Sequence, residues 1–116
     1  DAVMISLEDV LFIHESLALM GECMDGIRDY NLLQSAVAGQ YWYQNVFDMC
    51  VHVAYSINAS HLFSDGNKRT CFLAIKELNN FGYFFDDNSL AKEVLSLARH
   101  TVSEQEFRAR VCNCII

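Results

Sequence analysis

Apolar positions recur at intervals of three and four along most of the chain, and the rhythm breaks at glycines and polar clusters. Val10, Ile13, Leu17 and Met20 follow Ser6, which approximates a capping box with Asp9. Residues 6–22 are therefore expected to be a helix, closed by Gly21 and the Met24-Asp25-Gly26 region. A shorter helix is expected from Asp29 to Ala38, with Asp29 as N-cap, Leu32, Leu33 and Val37 facing inward and Gly39 as its stop. Gln40 to Asn45 carries the β-favouring aromatics Tyr41, Trp42 and Tyr43 without a helical period, so this piece is expected to be extended.

Val46 to Ser60 is apolar at Val46, Phe47, Met49, Cys50, Val53, Ala54 and Ile57, a stripe wide enough for a helix buried on most sides. Residues 66–81 predict another helix, with Cys71, Phe72, Ala74, Ile75 and Leu78 inside and Gly82 at its end. Tyr83 to Phe85 reads as extended. Ser89 opens a helix through Arg99, apolar at Leu90, Val94, Leu95 and Ala98, and Ser103-Glu104-Gln105-Glu106 is a capping box opening a last helix through about Val111. The pattern describes one mainly α domain over residues 1–116, without repeat, linker or low-complexity tract. At its centre two apolar helices are joined by one polar loop.

Composition agrees with a packed domain, since 53% of residues are apolar and 20% are charged. Charge narrows the function classes. Eight Lys+Arg against 15 Asp+Glu give a formal net charge of −7, which argues against nucleic acid and against an electrostatic membrane anchor as partners. No apolar run approaches the roughly 20 residues that cross a bilayer, and no segment reads as a signal peptide, so a cytoplasmic protein is expected. Five cysteines, an odd number without CxxC spacing, read as a reduced thiol set, and Cys112-Asn113-Cys114 alone is a weak metal signal.

The placement of charge says more than its sum. Before residue 68 the only basic residue is Arg28; then Lys68 and Arg69 stand side by side at a helix start, in the run His61-Leu62-Phe63-Ser64-Asp65-Gly66-Asn67-Lys68-Arg69-Thr70. Free N–H groups and the helix dipole make such a start an anion site. Gly66 would let a phosphate approach the backbone, and Lys68 and Arg69 would neutralise it. Asp65 is a hard oxygen ligand of the kind Mg²⁺ takes, and His61 has the chemistry of a general base. Together these are parts for phosphoryl or nucleotidyl transfer to a hydroxyl. Each residue also has a structural account: Ser64 or Asp65 as helix cap, Phe63 as core anchor, Asn67 as a partner for loop backbone.

The ten-residue run resembles the signature of the Fic/Doc family, in particular its death-on-curing (Doc) branch, approximately HxFx[DN][AG]NKR. Ser6-Leu7-Glu8-Asp9 with Ile13-His14 is similar to the family's opening helix. Gly26-Ile27-Arg28-Asp29 with Leu32-Leu33-Gln34-Ser35-Ala36 is similar to its second conserved segment, and Asn79-Asn80-Phe81-Gly82-Tyr83 to the end of the helix after the motif. The resemblance implies an all-α fold, a compact Fic/Doc bundle of about six helices with a small β flap over the site. Residues 40–45 are the expected flap, with Tyr41, Trp42 and Tyr43 either docking the target or packing the lid onto the core.

By position, the resemblance implies His61 as the base, Phe63 as the loop anchor and Asp65 as the Mg²⁺ ligand. Gly66, Asn67, Lys68 and Arg69 would then hold the phosphates of ATP, with Arg69 also counted among the catalytic groups. The adenylylating Fic branch has proline after the histidine and a second glycine in GNGR, whereas this chain has Leu62 and Lys68. That departure implies a kinase of the toxin type, passing the γ-phosphate of ATP to a Ser or Thr hydroxyl of a translation factor, elongation factor Tu being the expected class of target. AMP transfer and a catalytically inactive binding module are the alternatives. The inhibitory [ST]xxxE[GN] pattern of many Fic proteins has no match in residues 1–116, which implies a separate antitoxin.

Overall fold

Four of the six helices begin on side-chain caps that satisfy otherwise orphaned N–H groups. The computed structural model describes residues 4–99 and 101–116; residues 1–3 and 100 of the expected 1–116 domain lie outside the description, as does the side chain of Ala98, expected on the apolar face of its helix. Helix α1 spans Leu7–Leu19, α2 Tyr30–Ala38, α3 Val46–Ala59, α4 Asn67–Lys76, α5 Asp87–Arg99 and α6 Glu104–Cys112, with 3-10 turns at Gly39–Trp42 and Glu77–Phe81. Ser6 and Asp9 close the expected capping box on α1, at 3.0 and 2.9 Å. Asp29 caps α2 and Asn45 caps α3. Ser103 accepts from the Glu106 N–H at the start of α6, while the Glu106 carboxylate turns forward to Arg110 at 2.6 Å.

Helix α3 is the axis of the domain. It buries Phe47, Cys50, Val51, Val53, Ala54, Ile57 and Asn58, too many positions for a single face. It touches α2, α4, α5, α6 and both 3-10 turns, so the expectation of a helix buried on most sides holds. Helix α4 lies along it and buries Thr70, Cys71, Ala74 and Ile75. The chain end is tied back by an antiparallel bridge between Phe85 and Ile115, where Asp86 N–H donates to Cys114 O at 2.8 Å.

Several expected details differ. Helix α1 stops at Leu19, and Met20 is exposed, because Gly21 (φ +75°) turns the chain and the Glu22 N–H closes onto Leu17 O at 2.9 Å. Leu32 and Leu95 lie on half-exposed faces, and Phe72 is only partly buried. The 66–81 helix tightens to a 3-10 turn after Lys76. Cys112 is exposed, while Cys114 is buried with its thiol on Arg110 O at 3.3 Å.

The largest correction concerns residues 40–45. They do not form an extended flap; Gly39–Trp42 is a 3-10 turn. Gln40 explains why local β preference loses. Its buried amide accepts from Met4 N–H (2.8 Å) and Ile5 N–H (3.2 Å) and donates to Ile5 O (2.7 Å) and Val37 O (2.8 Å). Tyr43 then reaches Glu104, which also accepts from His52 at 2.9 Å. The turn is thereby fastened to the N-terminal segment, α3 and α6, leaving Tyr41 and Trp42 exposed at its tip. Gln40→Ala leaves two buried N–H groups without acceptors and is expected to cost about 3 kcal/mol. Urea denaturation checks it: an unchanged midpoint would refute the account of the turn.

Candidate functional site

The polar run 61–70 is shaped at both ends by backbone geometry. Helix α3 ends at Ala59, and Leu62 N–H returns to Ile57 O at 3.2 Å, a six-residue closure that places His61 in the left-handed region at φ +50°. The same closure at Gly21 and Gly82 uses glycine, and His61 is the one non-glycine residue with positive φ among the described residues. Holding a side chain there costs on the order of 1 kcal/mol, and strain of this kind concentrates at functional positions. Arg28 secures the turn. Its Nε donates to His61 O and its Nη2 to Ser60 O, each at 2.5 Å, so a fixed positive charge covers the negative end of α3.

The middle of the run is anchored from two sides. Phe63 is buried and stacks on the buried ring of His14, with centroids 3.9 Å apart and planes 9° from parallel. The Asn67 amide clasps Phe63, accepting from its N–H at 2.9 Å and donating to its carbonyl at 2.8 Å. One donor and the oxygen of that amide are thus occupied, so the Asn67 side chain is committed to holding the loop. His14 Nε2 donates to Asp65 O at 2.8 Å, which fixes the proton-bearing nitrogen of that ring.

A segment from the α1–α2 connection lies antiparallel along the run. Ser64 N–H donates to Gly26 O at 3.0 Å, Arg28 N–H to Leu62 O at 2.9 Å, and Ile27 bridges Phe63. The short extended element beside the motif is therefore residues 26–28, not the aromatic segment 40–45. Gly66 begins α4 at φ +79°, and a Cβ there would lie 2.7 Å from Cys23 Sγ. The absence of a side chain at Gly66 is thus required by the chain's own packing against Cys23.

The electrostatics of the α4 start suit an anion and a hard cation. No acid stands in the first turn of α4, and Lys68 and Arg69 are exposed there. Asp65 Oδ2 accepts from Met24 N–H at 2.9 Å; that bond, seconded by the Gly66 N–H, holds its carboxyl below the ordinary carboxylate range. The Asp65 side chain is exposed and ionised, which fits a Mg²⁺ ion bound by one carboxylate, water and phosphate oxygens. Among the described residues no group of three or more His, Cys, Asp or Glu could hold a metal alone, so phosphate oxygens would have to complete such a site. Burial, followed by the charges of Asp65 and Asp25, pushes the Cys23 thiol up, away from thiolate chemistry.

Arg69 is engaged by the Glu22 carboxylate. Both side chains are about half exposed, so the pair is weak and displaceable. Lys68 and Arg69 also rim an apolar trough of about 520 Å³ walled by Leu17, Met20, Phe72, Leu73, Val94 and Leu95. His61 lines a different cavity of about 300 Å³. Tyr41, Trp42 and Tyr43 line neither.

Sequence reasoning named the run itself and missed the groups that hold it. His14 entered only in a family-like segment, Arg28 there and as a lone early cation, Met24 as part of a helix stop and Cys23 as one of five thiols, while Glu22 was not singled out. Two signals were available: a histidine on the apolar face of α1, four residues after Val10, and the only cation before residue 68.

Two expectations follow. The depressed Asp65 value means its stabilising contact is fully present above the ordinary 3.8 and is lost only as pH falls through its lower folded-state value. A carboxyl ¹³C titration should give a midpoint below 3.8, tracked by the Met24 amide shift; a midpoint at or above that value refutes the contact. Glu22→Gln, by freeing Arg69, should tighten binding of tripolyphosphate about threefold at low salt, with the gain fading at high salt. Calorimetry showing no change would mean that Glu22 does not compete for the cation.

A search of curated proteins returns no match to the chain. The sequence profile of the Fic/DOC family matches residues 4–78, which run from the start of the described chain through α4 and take in His14, Arg28 and the whole 61–70 run. Membership thus covers the residues that build the site as well as those that face it, and the chain belongs to the Fic/DOC family.

Proposed function

We propose that this protein is a Doc-type toxin kinase that transfers the γ-phosphate of ATP to a Ser or Thr hydroxyl of a translation factor, elongation factor Tu being the expected class. Family membership supports a protein-modifying transferase. The observation that carries the finer reading is Lys68. Where the adenylylating branch has glycine, an exposed lysine stands in the first turn of α4, directly before Arg69. Its side chain takes the space a glycine leaves for phosphate, so the nucleotide is seated differently, with the γ-phosphate toward His61.

In this reading the chain positions reactants and supplies charge. Lys68, Arg69 and the first N–H groups of α4 hold the polyphosphate. Asp65 is the ligand for Mg²⁺, which supplies charge neutralisation when bound. His61, presented outward by the strained turn, accepts the proton of the acceptor hydroxyl as its oxygen bonds to phosphorus and ADP leaves. Engagement of Arg69 requires Glu22 to let go, an exchange of one exposed anion for another. No helix among the described residues is long and apolar enough to cross a membrane, which is compatible with a cytoplasmic target. Restraint would come from a separate antitoxin, for which the apolar trough between α1, α4 and α5 offers a helix-sized surface.

Incubation with a lysate and ATP labelled at either the γ or the α position tests this reading. Transfer from the γ position alone is expected, and transfer from the α position alone would replace the kinase with AMP transfer. His61→Ala should reduce transfer by at least 100-fold, the scale of a general base, with the fold intact by circular dichroism. Retained transfer would remove His61 from the base role.

A further inference from the structure

The cavity at His61 differs in kind from the trough beside Lys68. The trough has apolar walls, whereas the His61 cavity is mostly polar. Its walls are Tyr55 and Ala59 from α3, Leu97 and Arg99 from the end of α5, and Thr101 and Val102 from the connection to α6. Tyr55 makes this wall firm. Its hydroxyl donates to Val102 O at 2.6 Å, and its ring leans on buried Phe107 with centroids 5.8 Å apart.

Arg99 is the unusual member. In a chain with 15 acids against eight Lys+Arg, every other arginine is engaged. Arg28 covers backbone carbonyls, Arg69 meets Glu22, Arg108 meets Asp48 and Glu104, and Arg110 meets Glu93 and Glu106. Arg99 is exposed and has no carboxylate partner among the described residues. Its position in the last turn of α5 favours a cation, yet leaves the guanidinium fork open to an incoming carboxylate.

We propose that this cavity receives the acceptor segment of the protein substrate, and that Arg99 selects a segment carrying Asp or Glu close to the accepting hydroxyl. The proposal rests on the reading of His61 as the base. It follows from shared geometry: His61 and Arg99 line one cavity of about 300 Å³. An extended peptide advances about 3.4 Å per residue, so a hydroxyl at His61 and a carboxylate at Arg99 lie within a few residues of each other. Thr101 adds a hydroxyl for the segment's backbone, and the chain's negative charge elsewhere disfavours nonspecific capture of acidic peptides. Selection at this position is separate from the phosphate-binding groups of α4.

The test uses ¹⁵N-labelled protein and two short peptides, each with a central threonine flanked by glutamates in one and lysines in the other. The glutamate peptide is expected to shift the amides of Leu97, Thr101 and Val102 and to bind about threefold more tightly, the size of one exposed ion pair. Arg99→Glu should reverse the preference while leaving the amide spectrum of α1, α2 and α4 unchanged. Equal binding of the two peptides, binding of neither, shifts outside the cavity, or a preference unaltered in Arg99→Glu would each overturn the proposal. Transfer from ATP to the same peptides, read by mass spectrometry, is scored separately. Charge-selective binding without transfer counts against the kinase reading, and transfer without charge preference counts against the role of Arg99.

Discussion

The way α3 is stopped governs everything around it. A helix leaves its last carbonyls without partners of its own, and at the end of α3 the chain supplies the donors. It does so twice, with the Leu62 N–H returned to Ile57 O and with the guanidinium of Arg28 laid across Ser60 O and His61 O. The first closure forces residue 61 into a left-handed conformation. The second fastens the α1–α2 connection to the turn. A histidine standing where glycine would be unstrained then points outward from a backbone that has little freedom to move.

From that stop the rest of the site follows by contact. Because Arg28 is pinned, residues 26–28 run antiparallel to 62–64, and residues 22–24 come to lie over the start of α4. Cys23 fills the space beside Gly66, Met24 donates to Asp65, and Glu22 meets Arg69. One connection therefore shapes the loop, keeps Asp65 ionised and holds the Glu22 carboxylate against the Arg69 cation. The interactions differ in strength. Burial of Phe63 against His14 is an apolar contact of a few kcal/mol, whereas the exposed Glu22–Arg69 pair is worth at most about 1 kcal/mol. The frame is buried and the Glu22–Arg69 contact is exchangeable.

Much of this was legible locally. Ser6, Asp29 and Ser103 announce helix starts because a cap is a contact across three residues, and Gly39 and Gly82 announce stops for the same reason. The 61–70 run was legible because its charges and its glycine fall in one stretch of sequence. The flap was misplaced because aromatic β preference is a weak, local tendency. It was outweighed by Gln40, whose buried amide binds backbone 35 residues away.

What the sequence determined by itself was the set of helices, their capped ends and the presence of a polar run with adjacent cations between α3 and α4. All of these are encoded in neighbours along the chain. Only the tertiary structure decided that His14 lies under Phe63, that Arg28 closes α3 and that Glu22 meets Arg69. It also decided that His61 shares a cavity with Arg99. The partners of His14 and Arg28 in the motif are 51 and 33 residues away, and Glu22 and Arg69 are 47 apart. No periodicity records such distances. They are set when α1 and α2 pack around a central helix that has to bury all its sides.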